Sequence, residues 1–395
     1  MNKMTVRDID VTDKRVLVRV DFNVPLDQNN GEITDDSRIM ATLPTIRYLV
    51  ERGARVILIS HLGRPRGKVV DTMRLAPVAR RLSEILGKPV NVAGDNIGEK
   101  VEQSVAKMGR GNVMLLENIR FYPEEENGDD AFAQKLARLG EIFVNDAFGT
   151  SHRAHASVSV IAKYLPAVAG LLLEKEINTL GSILEDPAHP FCTLLGGAKV
   201  SDKVGMIQNI MSKVDCLLIG GGMAATFLKA VEYEIGLSLI EEDKLETAAN
   251  LIAEANRRGI DLCLPTDVVV ADEISPGVAS EIVPVNAIPE DKRIVDIGPE
   301  TIDTFSHQLR GARTIFWNGP MGIYEIPPFD AGTRAIAELI ASLGVTTIIG
   351  GGSTGEAINE MGLADKMTFI STGGGASLKF LSGEALPGVT ALQDK

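Results

Sequence analysis

Short apolar runs rich in β-branched residues recur along the whole chain, and segments with helical periodicity lie between most of them. Continuous apolar strands that alternate with helices are typical of parallel sheets covered on both faces. The predicted strands are Val16–Val20, Val56–Ser60, Val113–Leu116, Ile142–Asn145, Thr193–Leu195, Cys216–Ile219, Thr314–Trp317, Thr346–Ile349 and Thr368–Ile370. Because 395 residues are also more than one hydrophobic core usually holds, we predict two doubly wound, Rossmann-like parallel-sheet α/β domains.

The segment between the two sets of strands has the periodicity of a helix. Its apolar face consists of Leu173, Ile177, Leu180 and Leu184. Asp186-Pro187 ends this helix, because a residue before proline disfavours the helical conformation. We therefore predict domains at residues 1–170 and 188–377, joined in a bilobal molecule by a rigid hinge helix over residues 171–187. A further core helix of the first domain fits the same periodicity.

The composition argues against several classes of partner. With 40 Lys and Arg against 53 Asp and Glu, the net charge is −13, which disfavours binding to nucleic acid or to an anionic membrane. The three cysteines, Cys192, Cys216 and Cys263, are far apart in sequence and predict neither a disulfide framework nor a zinc site. The longest apolar stretch, Tyr164–Leu173, is about half of the ~20 residues of a membrane helix, and Met1–Asp10 lacks a signal pattern. We expect a soluble, cytoplasmic protein.

Polar and basic residues follow the strands of the first half. In open α/β sheets the ligand binds beyond the carboxyl ends of the strands, so these residues are site candidates. The basic ones are Arg38, Arg64, Arg120, Arg153, His61, His152 and His155. Guanidinium groups match phosphate and carboxylate oxygens in paired geometry, so the predicted ligand is small and strongly anionic.

Ion pairing and metal binding are the alternatives to anion binding at these basic residues. Any single arginine also fits an ion pair with a nearby carboxylate, such as Asp35, Asp36, Glu117 or Asp146. A metal site at His152 and His155 is disfavoured, because no carboxylate or cysteine lies in helical register with them.

Glycine clusters follow the strands of the second half. They are Gly196-Gly197, Gly220-Gly221-Gly222, Gly319, Gly350-Gly351-Gly352 and Gly373-Gly374-Gly375. Glycine lets backbone N–H groups approach an anion, and a following helix N-terminus adds a positive field. A tight turn explains any one cluster, but five clusters at one sheet edge predict a bound polyphosphate or nucleotide.

Two nucleotide-binding motifs restrict this ligand further. The chain contains no GxxxxGK[ST] sequence, so it is not a Walker-type NTPase. GxGxxG does occur at Gly350–Gly355, but the next strand ends in Ser371 where the dinucleotide fold has an acidic residue for the ribose. NAD is therefore the weaker interpretation.

An anion cleft in one domain and a nucleotide edge in the other predict phosphoryl transfer between two substrates. Such transfer depends on positioning and charge neutralisation more than on a protein nucleophile. Lys199 and Lys203 are predicted to lie on one face at the start of a helix, with Arg38 on the other side of the transferring group. Two substrates in two domains also imply domain closure, which excludes water.

Seven segments resemble the phosphoglycerate kinase family, in order and along essentially the whole chain. They are Arg19–Pro25, Ser60–Pro65, Leu116–Phe121, Asn145–Gly149, Gly196–Val200, Trp317–Pro320 and Thr372–Ser377. The resemblance implies a monomeric glycolytic kinase. This kinase moves the acyl phosphate of 1,3-bisphosphoglycerate to Mg-ADP, which gives 3-phosphoglycerate and ATP.

The resemblance also implies roles for individual residues. Phosphoglycerate would contact Asp21, Asn23, Arg38, His61, Leu62, Gly63, Arg64, Arg120 and Arg153. The nucleotide would contact Lys199, Lys203, Gly220, Gly221, Asn318, Pro320, Glu325, Gly351, Gly352, Ser353 and Thr354. The transferring group would be stabilised by Arg38, Lys199 and the N–H groups of Gly352 and Gly375. Residues from about 378 to 395 would return to the first domain.

Ser353 departs from the family pattern, which often has an aspartate near the magnesium-bound nucleotide at this position. A serine hydroxyl is a weaker magnesium ligand than a carboxylate. Magnesium is therefore expected to be held mainly by nucleotide phosphates and water, and no protein ligand is assigned. Two alternatives to the kinase stay open from the sequence: a nicotinamide-dependent dehydrogenase that uses the GxGxxG sequence, and a non-catalytic anion-binding protein.

Overall fold

The structure is a computed structural model that describes residues 2–27 and 29–395. Met1 and Gln28, both within the predicted first domain, lie outside the described residues. The chain divides into two compact units. The first contains the residues up to Asn178 together with Ala385–Lys395, and the second is Thr179–Glu384. Residues 378–384, predicted as part of a returning tail, therefore belong to the second unit.

The first unit contains one parallel sheet. Its strands are β1 (Arg15–Arg19), β2 (Arg55–Ile59), β3 (Val90–Val92), β4 (Val113–Leu115), β5 (Ile142–Asn145) and β6 (Ala167–Ala169). They lie in the order β3-β4-β2-β1-β5-β6, and every neighbouring pair is parallel. Val18 of β1 is opposite Leu58 of β2 and Val144 of β5. The carboxyl ends of these strands therefore lie side by side.

Helices cover the first sheet. They are α1 (Ser37–Glu51), α2 (Ala76–Leu86), α3 (Glu99–Ala106), α4 (Pro123–Glu126) and α5 (Asp130–Ala137), with short 3-10 helices at Asp71–Met73, Ile119–Phe121, Phe148–Thr150 and Val160–Lys163. The buried face of α1 consists of Ile39, Leu43, Ile46 and Leu49, at steps of four, three and three residues. This face packs against the apolar side chains of the sheet, as an amphipathic helix must.

The predicted hinge helix forms α6 (Leu171–Glu185). Its buried apolar residues are Leu173, Ile177, Leu180 and Ile183, whereas Leu184 is half-buried. After Leu180 the apolar face therefore continues three residues later, at Ile183, and not four residues later, at Leu184. The helix start is capped by Asp146, whose Oδ1 accepts from the N–H groups of Leu172 (2.9 Å) and Leu173 (3.1 Å). The boundary between the units falls inside this helix.

The second unit contains a second parallel sheet. Its strands are β7 (Phe191–Leu195), β8 (Cys216–Ile219), β9 (Asp261–Cys263), β13 (Thr314–Asn318), β14 (Thr346–Gly350) and β15 (Phe369–Ile370). The order is β15-β14-β13-β7-β8-β9, again with parallel pairs only. The helices are α7 (Val204–Ile210), α8 (Met223–Ala230), α9 (Leu245–Arg258), α10 (Pro299–Gly311), α11 (Ala331–Leu343), α12 (Gly352–Glu360) and α13 (Gly375–Leu381). The two predicted parallel-sheet α/β domains are confirmed.

A small antiparallel sheet, which the sequence did not indicate, also belongs to the second unit. It consists of β10 (Asp267–Ala271), β11 (Ser280–Pro284) and β12 (Arg293–Ile297), with β10 in the middle. Most residues of β11 are exposed, so its sequence lacks the continuous apolar run that marked the other strands.

The residues after the second unit pack on the first unit. They include the short helix α14 (Pro387–Thr390). The Gly388 N–H donates to the Ser151 carbonyl (2.8 Å), and the Asn145 side-chain amide donates to the Gly388 carbonyl (2.8 Å). Lys3 and Asp394 form an isolated antiparallel bridge. This segment therefore contributes to the end of β5, where candidate site residues begin.

Within the described residues, no helix combines the length and the apolar character that crossing a bilayer requires.

Candidate active site

The first candidate site begins where β1 ends. Asp21 is buried there, and Nη1 of Arg38, from the first turn of α1, lies 2.6 Å from its Oδ2. Burial alone would raise the pKa of Asp21, but the charge of Arg38, with smaller contributions from His61 and Arg19, holds it at about 2. Asp21 is therefore ionised at neutral pH and orients the Arg38 guanidinium.

Hydrogen bonds tie three neighbouring strand ends together. The Gly63 N–H after β2 donates to Asn23 Oδ1 after β1 (2.7 Å). Arg120, after β4, donates from Nη1 to the Gly63 carbonyl (2.9 Å). The Asn118 side-chain amide donates to the Leu62 carbonyl (2.7 Å). The structure thus brings together most of the predicted phosphoglycerate residues, namely Asp21, Asn23, Arg38, His61, Leu62, Gly63 and Arg120.

Gly63 is the one residue of this group whose backbone requires glycine. Its φ of 63° lies in the left-handed region, and a Cβ there would lie 2.9 Å from the Met73 sulfur. Both the turn after β2 and the carbonyl that receives Arg120 depend on this conformation.

His61 is buried and neutral. Burial lowers its pKa well below the usual value; Asp21 opposes this shift, and the Arg19, Arg120 and Arg38 charges add to it. Its Nδ1 lies 3.4 Å from Nη2 of Arg19. Because a guanidinium has no acceptor, Nδ1 accepts and the proton must be on Nε2. His61 is thus a neutral hydrogen-bond donor.

The ion-pair alternative holds for two of the four candidate arginines. Arg38 pairs with Asp21, and Nε of Arg120 lies 3.3 Å from the Glu126 carboxylate. Burial and the nearby Arg19 lower the pKa of Arg120 to about 10, so it remains charged. Arg64 and Arg153 have no carboxylate within ion-pair distance among the residues that the structure describes.

The four carboxylates suggested as alternative partners have other contacts, and Asp35 accepts from the Ser37 N–H at 2.8 Å. Asp36 pairs with Arg81 at 2.8 Å, and Glu117 pairs with Arg74 at 3.0 Å. Asp146 caps α6 as described above. These contacts leave Arg64 and Arg153 available to an anionic ligand.

The histidines that were predicted to line the cleft add no positive charge to it. His155 is buried beside Glu125, and burial together with the Arg19 charge lowers its pKa to about 3. His61 is also neutral. His152 Nε2 accepts a hydrogen bond from Nε of Arg153 at 3.2 Å. The positive charge of the site therefore comes from arginines.

Arg19 is a further site residue, which the sequence patterns did not single out. Its side chain is fully buried, donates from Nε to the Ser157 hydroxyl (2.8 Å) and contacts His61. Ser157 in turn donates to the buried Glu125 carboxylate (2.7 Å). The available signal was a charged residue at the end of an otherwise apolar strand, where burial requires polar partners.

Several glycines of the second unit serve packing and not anion binding. The N–H groups of Gly196, Gly197, Gly220 and Gly221 donate to the carbonyls of Asn318, Pro320, Leu195 and Met321 at 2.8–3.0 Å. A Cβ on Gly319, where φ is 95°, would lie 2.4 Å from the Gly196 backbone. The ends of β7, β8 and β13 thus meet backbone to backbone. The prediction that all five clusters offer N–H groups to a phosphate is wrong for these positions.

The N-terminus of α12 is a better candidate for phosphate binding. Gly351, with φ of 90°, precedes the helix, and no side chain caps its first turn. First-turn N–H groups have no partner inside a helix, and here Gly352 and Ser353 are exposed. The side-chain amide nitrogen of Asn318 is buried without a hydrogen-bond partner. It lies 3.1 Å from where a Cβ on Gly351 would be.

The neighbouring strand ends complete this edge. The Thr354 hydroxyl accepts from the Gly319 N–H at 2.7 Å, which fixes the α12 start against the end of β13. Gly375, the first residue of α13, and Glu325, in the turn region after β13, are both exposed.

Lys199 and Lys203 do not share a helix face, contrary to the prediction. Helix α7 begins at Val204, so both lysines precede it. Lys199 is exposed, whereas Lys203 is only 6% exposed, and burial lowers the pKa of its amine. No carboxylate within the described residues lies at ion-pair distance from Lys203. A buried lysine without such a partner indicates an anionic ligand.

One α/β unit has arginines at its strand ends, and the other has a buried lysine and free helix N–H groups. These are the groups of a phosphotransferase. The family model described as "Phosphoglycerate kinase" matches residues 6–384. The chain belongs to the phosphoglycerate kinase family.

Relatives and solved structures agree with this family. The chain is 57% identical over 395 residues to a phosphoglycerate kinase of Pelotomaculum thermopropionicum, with all of both chains covered. It is 58% identical over 393 residues to that of Dictyoglomus turgidum, covering 99% of this chain and 98% of the relative. Among solved structures it resembles phosphoglycerate kinase from Coxiella burnetii (TM-score 0.85, 41% identity) and from Pyrococcus horikoshii (TM-score 0.87, 32% identity), each with 98% of both chains covered. The resemblance noted from the sequence is confirmed.

The established reaction is the reversible transfer of the acyl phosphate of 1,3-bisphosphoglycerate to ADP, which gives 3-phosphoglycerate and ATP. The family assignment favours this kinase over both the dehydrogenase and the non-catalytic binding protein.

Proposed function

We propose that the strand ends of the first unit bind the phosphoglycerate and those of the second unit bind Mg-ADP. One observation carries this proposal. In a chain of net charge −13, the first unit places Arg38 and Arg120 at its strand ends beside the buried Arg19. Arg64 and Arg153, which follow two strands of the same sheet, have no carboxylate within ion-pair distance among the described residues. Such a local excess of positive charge fits a substrate that carries a phosphate and a carboxyl group.

The residues of the first site have different roles. Arg38, Arg64, Arg120 and Arg153 neutralise the anionic groups of the substrate, and His61 donates from Nε2. Asn23 is held by the Gly63 N–H, so its side-chain amide is free to face the ligand. Asp21 orients Arg38 through their ion pair. Leu62 and Gly63 supply the backbone that fixes the loop.

The second unit provides the nucleotide contacts. Lys203 binds a phosphate oxygen, and the first-turn N–H groups at Gly352, Ser353 and Thr354 bind others. Gly220 and Gly221 lie near the adenine by analogy with the family, and both are packed closely, Gly220 against Met321 and Gly221 against the Gly197 backbone. Gly351, Asn318, Pro320 and Glu325 surround the remainder of the nucleotide.

Transfer needs no general base. A β-phosphate oxygen of ADP attacks the acyl phosphorus, the bond from phosphorus to the acyl oxygen breaks, and the carboxylate leaves already ionised at pH 7. Arg38, Lys199 and the N–H groups of Gly352 and Gly375 stabilise the charge on the transferring group. Because the substrates must meet and water must be excluded, the proposal includes domain closure.

Magnesium enters as part of the nucleotide substrate. Among the described residues, no group of three or more His, Cys, Asp or Glu side chains is placed to hold a metal ion. Ser353 is exposed at the α12 start and can offer a hydroxyl at most. This donor set fits an ion bound mainly by phosphates and water. A monomeric state and a cytoplasmic location stay predictions.

Two single variants test the assignment of one substrate to each unit. Arg64→Ala should weaken 3-phosphoglycerate binding about 10-fold and leave Mg-ADP binding unchanged, because it removes one charge-assisted contact. Lys203→Met should weaken Mg-ADP binding about 10- to 100-fold and leave 3-phosphoglycerate binding unchanged. Calorimetric titration of both ligands measures these four affinities.

Lys203→Met should stabilise the ligand-free protein although it weakens Mg-ADP binding. Removing a buried ammonium without an ion-pair partner should raise the melting temperature of the ligand-free protein by about 2–4 °C. Lys366→Met, at an exposed lysine of the same unit, is the control and should change neither quantity. If Arg64→Ala or Lys203→Met weakened the binding of both ligands equally, the assignment of one ligand to each unit would be contradicted. The reaction itself is tested by ATP consumption with 3-phosphoglycerate in the wild-type protein.

Replacing Ser353 by Asp should change the magnesium dependence of the rate. A carboxylate at the start of α12 offers Mg²⁺ a stronger ligand than a hydroxyl, so half-maximal rate should need a severalfold lower magnesium concentration. Ser353→Ala is the matched control and should resemble wild type. Superimposable magnesium titrations of the wild-type and Ser353→Asp proteins would show that the residue does not approach the ion.

A further inference from the structure

A carboxylate from a distant part of the chain holds the turn that carries both candidate lysines of the second unit. This turn, residues 199–203, is called the lysine turn below. Glu241 Oε2 accepts from the N–H groups of Val200 (2.6 Å) and Ser201 (3.1 Å), and Glu241 Oε1 accepts from the Ser201 hydroxyl. Lys199 directly precedes these two residues, and Lys203 follows them. Glu241 therefore fixes the backbone between the two lysines.

The lysine turn needs such an acceptor because its backbone is already helical in its hydrogen bonding. The N–H groups of Lys203 and Val204 both donate to the Val200 carbonyl, at 2.9 and 3.0 Å. In a helical turn the first N–H groups have no partner within the turn itself. Those of Val200 and Ser201 are in this position, and the Glu241 carboxylate satisfies both.

Glu241 is itself anchored to two other parts of the second unit. Its N–H donates to the hydroxyl of Thr226, a buried residue of α8, at 3.2 Å. Shortly before it in the chain, the Ser238 hydroxyl accepts from the N–H of Ile294 on β12 at 2.9 Å. The carboxylate therefore ties the lysine turn to α8 and to the antiparallel sheet.

The two lysines depend on the lysine turn to different degrees. Lys203 is buried, and its Nζ lies 3.4 Å from where a Cβ on Gly197 would be, so packing holds its side chain. Lys199 is exposed and has no carboxylate within ion-pair distance among the residues that the structure describes. The backbone of the turn therefore determines where the Lys199 amine can reach, and loss of the Glu241 contacts should affect Lys199 more than Lys203.

We propose that Glu241 is a positioning residue for phosphoryl transfer, which sets the place of the Lys199 amine by holding the lysine turn. The inference rests on the proposed role of Lys199 in stabilising the transferring group. The carboxylate of Glu241 is used by the turn, so this residue acts through Lys199 and not on the reacting groups. A displacement of about 1 Å in such a group can lower a rate by up to ~10²-fold.

The test is a double-mutant cycle of kcat, measured with saturating 3-phosphoglycerate and Mg-ATP. Glu241→Ala should lower kcat about 10-fold and leave the affinity for 3-phosphoglycerate near that of wild type. In a Lys199→Ala protein the same change should lower kcat by less than about twofold, because the side chain that Glu241 positions is gone. An equal loss of kcat in both backgrounds would overturn the proposal, as would a wild-type kcat for Glu241→Ala.

Two further variants control the cycle. Glu242→Ala removes an exposed carboxylate from the next residue and should equal wild type in kcat and in affinity. Glu241→Gln keeps an oxygen that can accept from the two N–H groups, so it should retain more of the wild-type kcat than Glu241→Ala. A lower kcat for the glutamine variant than for the alanine variant would contradict the role of the hydrogen bonds.

Hydrogen exchange of the ligand-free protein tests the hold on the lysine turn without any reaction. The N–H groups of Val200 and Ser201 should exchange about 10-fold faster in Glu241→Ala than in wild type. Unchanged exchange would refute this inference alone. A wild-type kcat for Lys199→Ala would refute the role of Lys199 in the proposed function, and this inference with it, so the two failures are distinguishable.

Discussion

Arg38→Ala should lower kcat by about 10³-fold, the largest effect expected of any single substitution in this protein. The side chain is directed into the first site by Asp21, at 2.6 Å. A guanidinium that neutralises a transferring phosphoryl group acts mainly in the transition state, so its loss appears in kcat more than in substrate binding. Steady-state rates with 3-phosphoglycerate and Mg-ATP, with the acyl phosphate trapped downstream, measure the effect.

Two further variants control this experiment. Arg47→Ala removes an exposed arginine from the same helix, α1, and should retain wild-type kcat. Arg38→Lys keeps a cation beside Asp21 but loses the planar fork, so its kcat should lie between wild type and Arg38→Ala. A kcat within threefold of wild type for Arg38→Ala would refute the role assigned to this residue.

Lys199→Ala should lower kcat by about 10²-fold while the affinity for 3-phosphoglycerate stays near that of wild type. The lysine is exposed in the turn before α7, so truncation removes no core contact and should leave the melting temperature unchanged. The rate and a thermal melt of the same preparation give both values. This separation of kinetics from stability distinguishes Lys199 from the buried Lys203.

Lys366→Ala provides the comparison for Lys199, since it removes an exposed lysine from elsewhere in the same unit. Its kcat should equal that of wild type. If Lys199→Ala lost only nucleotide affinity and kept its kcat, the residue would bind ADP without assisting transfer.

The parallel sheets could be predicted from the sequence because continuous apolar strands are typical of burial on both faces. Ile142–Asn145 and Cys216–Ile219 have the predicted bounds, and the other predicted strands differ by one or two residues. In the antiparallel sheet one of the two outer strands, Ser280–Pro284, is mostly solvated and gave no apolar signal. Three-residue strands such as Val90–Val92 are too short for periodicity to identify.

The candidate site was less predictable, since its properties depend on burial and on contacts between distant segments. The neutral state of His61 and His155 follows from desolvation, which no local pattern reveals. The N–H groups of Gly197 and Gly221 are bound to carbonyls of the loop after β13, roughly a hundred residues away. Cys192, Cys216 and Cys263 come to one face of the sheet only because three strands are neighbours there.

The segment Ala385–Lys395 gives the first unit a discontinuous sequence, with the entire second unit inserted before its last piece. During synthesis, residues up to Asn178 leave the ribosome long before the segment that supplies the Gly388 carbonyl to Asn145. Domains generally fold as units from the N-terminal end of a growing chain. Here the first unit must wait, with the end of β5 unfinished, until the second unit has been synthesised.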